Sequence, residues 1–289
     1  MNGIMKIASV LVLIFLGADT LYTMSWPSED AVLTNNFGSN NNGMPVLGMI
    51  FNGGTDIIAA EKGEVIFSRN SNDAASRLPS PLGAWTAIDH GDGLISIYSR
   101  YAEDSERQSI SRTYVEKSQS VASSGISGWS ARKGFYFSIF DRRERHWINP
   151  AMIITPVQSN RPPQILSVNL RNAQGQIQTG YFTQGRYKIF VNAVIPQAFA
   201  ANNFLVPQKI ICLVNGSEIG SLNFEAFSAR DGILMIYRNG LVPARQIYSA
   251  FPAFEAAEVF LTRGQVNMEI IVQDIAGNSR NYVNRFIVN

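Results

Sequence analysis

The sequence predicts an all-β chain made of two successive β-domains, and three observations carry that expectation. Through residues 25–158 no stretch sustains the 3.6-residue period of an amphipathic helix for three turns. Apolar and polar residues mix over runs of strand length, punctuated by glycine, asparagine and aspartate. A polar, proline-rich break, Ser159-Asn160-Arg161-Pro162-Pro163-Gln164, separates two series of such runs.

In the first series the expected strands are Asp56–Ala60, Gly63–Ser68, Trp85–Asp89, Leu94–Tyr98 and Gly134–Phe140. Asn52-Gly53-Gly54 and His90-Gly91-Asp92-Gly93 supply turns, and Asp92-Gly93 between two strand-like runs is the clearest hairpin signal. The second series comprises Ile165–Leu170, Gly185–Ala193, Lys209–Val214, Gly232–Tyr237, Gln265–Asp274 and Tyr282–Val288. About seven strands at this spacing suit a β-sandwich of immunoglobulin-like type. The turn Asp274-Ile275-Ala276-Gly277-Asn278 resembles the one joining the final strands of bacterial immunoglobulin-like modules. The alanine- and phenylalanine-rich segments Ala198–Phe204 and Ser249–Glu258 are expected to be short helices or loops.

Ahead of both series lies a leader. Lys6 precedes the apolar run Ile7–Leu16, small residues follow at Gly17-Ala18, and Asp19 interrupts the run. This run is short for a bilayer span, so residues 1–24 read as a signal peptide in preference to an N-terminal anchor. The expected organisation is thus a leader at 1–24, one β-domain at 25–158 and a second at 159–289. Action outside the cytoplasm follows from the leader.

Composition narrows the function further. A chain of 289 residues with 46% hydrophobic and 16% charged residues can bury two cores. The net charge of +2, with no basic face interleaved with aromatics, argues against nucleic acid as a partner. The single cysteine, Cys212, sits in an apolar run and reads as a small buried hydrophobe. No glycine-rich phosphate loop and no Cys/His metal spacing is present.

Several segments, in order, resemble the M23 (LytM/lysostaphin-type) zinc endopeptidases. Leu33-Thr34-Asn35-Asn36-Phe37-Gly38 is similar to the family's opening strand and Phe-Gly turn. Asn52 to Val65 is similar to its His-x-Gly-x-Asp segment and the Gly-x-Val that follows. Ile88-Asp89-His90-Gly91-Asp92-Gly93 leading to Tyr98 resembles Ile-Asp-His-Gly-Asn-Gly leading to Tyr-x-His-Leu. Ser124 to Gly128 resembles the Gly-x-Ser/Thr-Gly turn, and Phe135 to Asp141 resembles Leu-His-Phe-Glu-Ile-Arg-Asp. The resemblance covers residues 31–153, and Asn149-Pro150 closes it.

The resemblance implies a zinc site of one His and one Asp from the first segment and the second histidine of a His-x-His pair. Two further histidines would handle protons and the oxyanion. Here Asn52 stands at the first ligand position, Asp56 keeps the aspartate, Arg100 replaces the histidine of Tyr-x-His-Leu, and Gly134-Phe135-Tyr136 replaces His-x-His. The chain's two histidines, His90 and His146, cannot rebuild a four-histidine site. No enzyme activity, metal or cofactor is therefore expected. Asn52, Asp56, Arg100 and Tyr136, with Tyr98 close by, are expected to line the former cleft. Arg100 then either receives a ligand carboxylate or pairs internally, for example with Asp56, while the aromatic residues fill the emptied site. The cluster Arg132, Lys133, Arg142, Arg143 and Arg145 reads as a solvated face or as an attraction for anionic polymers. The implied function is a non-catalytic envelope scaffold or regulator of peptidoglycan remodelling. The alternative is a peptidoglycan-binding module using the old cleft; the partner is peptidoglycan itself or a hydrolase or other envelope protein.

Overall fold

The computed structural model describes residues 24–41, 43–69, 78–103, 113–154, 161–197 and 204–289. The leader before Met24, the start of the expected boundary at Ser159-Asn160 and Ala198–Asn203 lie outside the described residues. Strands dominate, and the helical elements among the described residues are the single turns Pro150–Met152 and Ala244–Ile247. The chain is all-β.

The principal strands of the first unit are β1 (Val32–Asn35), β2 (Met49–Asn52), β3 (Asp56–Ile58), β4 (Gly63–Arg69), β5 (Ala84–Asp89), β6 (Leu94–Tyr101), β7 (Ser120–Ser123), β8 (Gly134–Asp141) and β9 (His146–Ile148). Antiparallel pairing runs β4-β5-β6-β8, and the far edge of β8 is shared by β2 at one end and β9 at the other. Alternation explains this placement. On β8, Phe135, Phe137 and Ile139 point inward, where Phe135 stacks on Phe51 at 4.7 Å and Phe137 tilts against Tyr98 at 5.1 Å. Gly134, Tyr136 and Ser138 therefore face outward.

The second unit contains β10 (Gln164–Asn172), β11 (Gly185–Pro196), β12 (Lys209–Val214), β13 (Ser217–Arg230), β14 (Ile233–Arg238), β15 (Phe254–Leu261), β16 (Gly264–Gln273) and β17 (Ser279–Val288). One antiparallel sheet runs β17-β16-β12-β13-β14 and another β10-β11-β15, around one shared core. Part of Ser249–Glu258 belongs to β15 rather than to a helix or loop. Its Phe254, Ala256 and Ala257 are buried, and pairing to β11 overrides their helix-compatible composition. The fourteen-residue β13 is a further strand beyond those expected from the sequence. Cys212 is buried as expected, and burial pushes its thiol up to about 12.

The two units share structure. β9 pairs with β13 through His146–Ser228, Trp147–Phe227 and Ile148–Ala226, joining the first sheet to the second unit. Phe37, from the first series, is buried in the second unit's core, 5.2 Å from Phe227.

Inside the second unit, Glu255 is 2% exposed and accepts from Arg238 at 2.7 Å, Gln246 at 2.7 Å and Lys188 at 3.0 Å. Burial alone raises this carboxyl, but those donors outweigh it and hold the net pKa below the ordinary value. Removing the most buried donor with Arg238→Ala is expected to cost about 3 kcal/mol, because the carboxylate stays buried with a weakened partner set. Urea denaturation of the variant checks this.

Candidate functional site

The outward face of β8 carries the residues expected in the cleft, and register places their neighbours. Gly134 lies opposite Asn52 on β2, and Tyr136 lies opposite Ser99 on β6. Tyr98 is on the other face. It is fully buried in the core, and its hydroxyl accepts from the Ala60 N–H at 2.8 Å, while burial pushes its pKa up to about 12. Tyr98 therefore supports the sheet and does not line the cleft.

Arg100 comes to lie against Tyr136, on the outward face of β8, by a backbone irregularity. In a regular strand it would share the inward face of Tyr98. Here Trp85 pairs with Ser99 and Ala84 with Tyr101, so Arg100 is the extra residue of a bulge, at φ 64°. Its N–H donates to the Leu82 carbonyl at 2.8 Å, and its guanidinium lies 5.3 Å from the Tyr136 ring centroid. No ion pair with Asp56 forms; the neighbour of the guanidinium is the Tyr136 ring, itself largely buried. Burial pulls the Arg100 pKa below its ordinary value, offset in part by Tyr136.

Asp56 begins β3, is exposed, and pairs through its backbone with Ser123 on β7. The 52–56 segment is tied to the neighbouring loops by Gly53 N–H to the Lys133 carbonyl (2.9 Å), Ser124 N–H to the Thr55 carbonyl (3.0 Å) and Ser124 hydroxyl to the Gly53 carbonyl (2.7 Å). Arg132 and Lys133 are exposed at this end, whereas Arg142 pairs with Asp89 at 3.3 Å and Arg143 with Asp141 at 3.5 Å. Trp129 is exposed on an adjoining turn, and Trp85 stacks on Phe67 at 4.3 Å.

The structure thus gathers Arg100, Tyr136 and Ser99 at one point, with Asn52 and Gly134 beside Tyr136 on the strand edge. In the sequence Ser99 stands out only as a neighbour of Arg100. Its Oγ is buried and has no hydrogen-bond partner, and the same holds for Arg100 Nε.

These residues do not fit a zinc ion. At the three positions that resemble ligands stand an amide, one exposed carboxylate and a phenol whose pKa burial pushes up to about 12. Among the described residues no group of three or more His, Cys, Asp or Glu could hold a metal. A histidine at 134 has no space, since a Cβ there would lie 2.0 Å from the Phe51 carbonyl oxygen.

His90 is occupied elsewhere. Its Nδ1–H donates to the Lys62 carbonyl at 2.8 Å and its Nε2 accepts from the Ser96 hydroxyl at 2.8 Å, which defines the neutral tautomer. Burial lowers its pKa from 6.5, against the opposing pull of the Lys62 hydrogen bond, Glu61 and Asp89. The unfolded chain then binds the proton more readily. Its contribution to stability is fully present above about pH 6.5 and is lost as pH falls through the folded value. His90→Gln is expected to flatten the fall in urea midpoint below pH 6.5.

Residues 47–150 match the family model for peptidase family M23. They form an M23 domain. A separate family model spans residues 162–289. No curated protein matches the chain. Among solved structures, the catalytic domain of a mutant of the prophage-encoded M23 protein EnpA from Enterococcus faecalis is 20% identical. It covers 44% of this chain and 95% of that one, with a TM-score of 0.35. A SpoIIQ-SpoIIIAH pore forming complex is 19% identical over 47% and 94% of the two chains, with a TM-score of 0.36. Lysostaphin from Staphylococcus simulans is 14% identical over 91% and 88%, with a TM-score of 0.31. Among the described residues no helix is long and apolar enough to cross a membrane.

Proposed function

We propose that this chain is an exported, non-catalytic M23-like protein that acts as a scaffold or regulator of peptidoglycan remodelling in a bacterial envelope. The observation that carries this reading is the donor set of the former metal site: Asn52, exposed Asp56 and Tyr136, beside a Gly134 with no room for a side chain. The second unit, two antiparallel sheets around one core, serves as an immunoglobulin-like docking module. A second reading, direct binding of peptidoglycan in the cleft, is favoured by one feature: among the described residues Arg100 has no acidic partner.

One preparation tests both readings. The purified protein is analysed for zinc, assayed on peptidoglycan sacculi for release of soluble fragments, and used as bait against sacculi and envelope extract. Zinc near zero, no release, and capture of a peptidoglycan hydrolase or another envelope protein support the scaffold reading. Retention on bare sacculi supports the second. Stoichiometric zinc with fragment release refutes the proposal.

A further inference from the structure

We infer that Arg100, set against the Tyr136 ring, is a receptor for the free carboxylate of a peptide. This inference rests on the second reading, direct binding in the cleft, and names the chemistry of what is bound.

Three structural costs converge on Arg100. Its backbone is left-handed at φ 64°, a conformation that glycine adopts freely and side-chain-bearing residues rarely do. Its guanidinium is partly buried, and its Nε is sealed from water with no acceptor. Among the described residues it has no ion pair, and its one favourable neighbour is the Tyr136 ring. Among the described residues its side chain meets no carboxylate or carbonyl oxygen. Ser99 Oγ, on the residue paired with Tyr136, is likewise buried without a partner.

Costs concentrated at one position point to function when the position faces a site. The bulge is what turns Arg100 onto the outward face, because regular alternation would place it with Tyr98 in the core. The group presented is cationic and planar, with an aromatic beside it, and it suits a planar oxyanion of single charge. Partial burial beside the Tyr136 ring strengthens such a pairing relative to one on an open surface.

The test uses Arg100→Gly, which relieves the backbone conformation while removing the cation. The probes are N-acetyl-alanyl-alanine with a free C-terminal carboxylate, the same peptide as its C-terminal amide, and inorganic phosphate. Binding is followed by chemical-shift titration of the full chain. The expected result is binding of the free acid, at least tenfold weaker binding of the amide and of phosphate, and loss of binding in the variant. The variant's Tm should hold or rise by about 2–4 °C. Equal binding of acid and amide overturns the inference, as does a variant that binds the acid like the wild type. So does a Tm drop of several degrees without prior acid binding, which would make Arg100 structural. Retention on sacculi that survives Arg100→Gly overturns the carboxylate receptor and leaves direct binding standing. Acid binding without sacculus retention supports the receptor and refutes the second reading.

Discussion

Replacing Phe37 by alanine is expected to destabilise the chain by about 3–5 kcal/mol, more than truncation of any exposed apolar residue. Phe37 is fully buried, yet it lies in the core of the unit that begins more than a hundred residues later. Its neighbours hold it there. The Asn36 side chain donates to the Val206 carbonyl at 2.8 Å and accepts from the Val206 N–H at 2.9 Å, as a paired strand would. The Tyr248 hydroxyl donates to the Gly38 carbonyl. Gly38, at φ 82°, lies against the Phe224 ring, where a Cβ would come within 2.6 Å. Farther along, Asn149 Nδ2 donates to the Phe224 carbonyl at 3.0 Å. The wild type should therefore unfold in one transition, because neither core is complete without the junction. Calorimetry of Phe37→Ala should show a lowered and broadened or divided transition, whereas Val32→Ala, at a site 48% exposed, should shift it little. A cost under about 1 kcal/mol for Phe37→Ala would show that the two cores are independent.

The same junction shows what a sequence can and cannot disclose. The strands are legible where one face is buried, since alternation is local: Phe135, Phe137 and Ile139 mark β8 without help from elsewhere. The hairpin at Asp92-Gly93 is legible because the turn needs left-handed residues, and Gly91 and Gly93 sit at φ 91° and 80°. Phe37 belongs to a Phe-Gly turn in either reading, but the ring it packs on comes from Phe227, and contacts of that separation leave no local trace. Tyr98 and Arg100 pose the reverse problem. Two residues apart on a strand, both are expected in the cleft from sequence, and regular alternation would put them together. The bulge separates them, and nothing in Ser99-Arg100-Tyr101 announces it, since the left-handed residue is an arginine and not the usual glycine or asparagine. The residues at the positions that resemble zinc donors, by contrast, are read from residue identities in order.

Substituting Gly134 should have a second large effect, and one that bears on function. A Cβ at 134 would meet the Phe51 carbonyl oxygen at 2.0 Å, the Phe51 carbonyl carbon at 3.0 Å and Asn52 Cα at 3.1 Å. All three are backbone atoms of the paired strand β2, so no rotamer change can make room. On the other side Gly134 exchanges two hydrogen bonds with Gly125, at 2.9 and 3.1 Å, and a Cβ on Gly125 would lie 2.3 Å from Ala102 Cα. Four backbone segments, at 51–52, 134, 125 and 102, thus meet at close range through a glycine pair. Gly134→Ala is expected to cost about 3 kcal/mol or more, by forcing β2 and β8 apart. Conversion of Asn52, Gly134 and Tyr136 to histidine together should then give a chain that is unstable in urea and does not acquire stoichiometric zinc. If the triple variant folds with wild-type stability and takes up one zinc per chain, the closure at Gly134 is not a barrier, and the binding role loses its structural basis. If it fails while Asn52→His alone is tolerated, the backbone has closed over the place where a catalytic side chain would stand. Placing a histidine at 134 would then require moving a strand and not merely changing a residue.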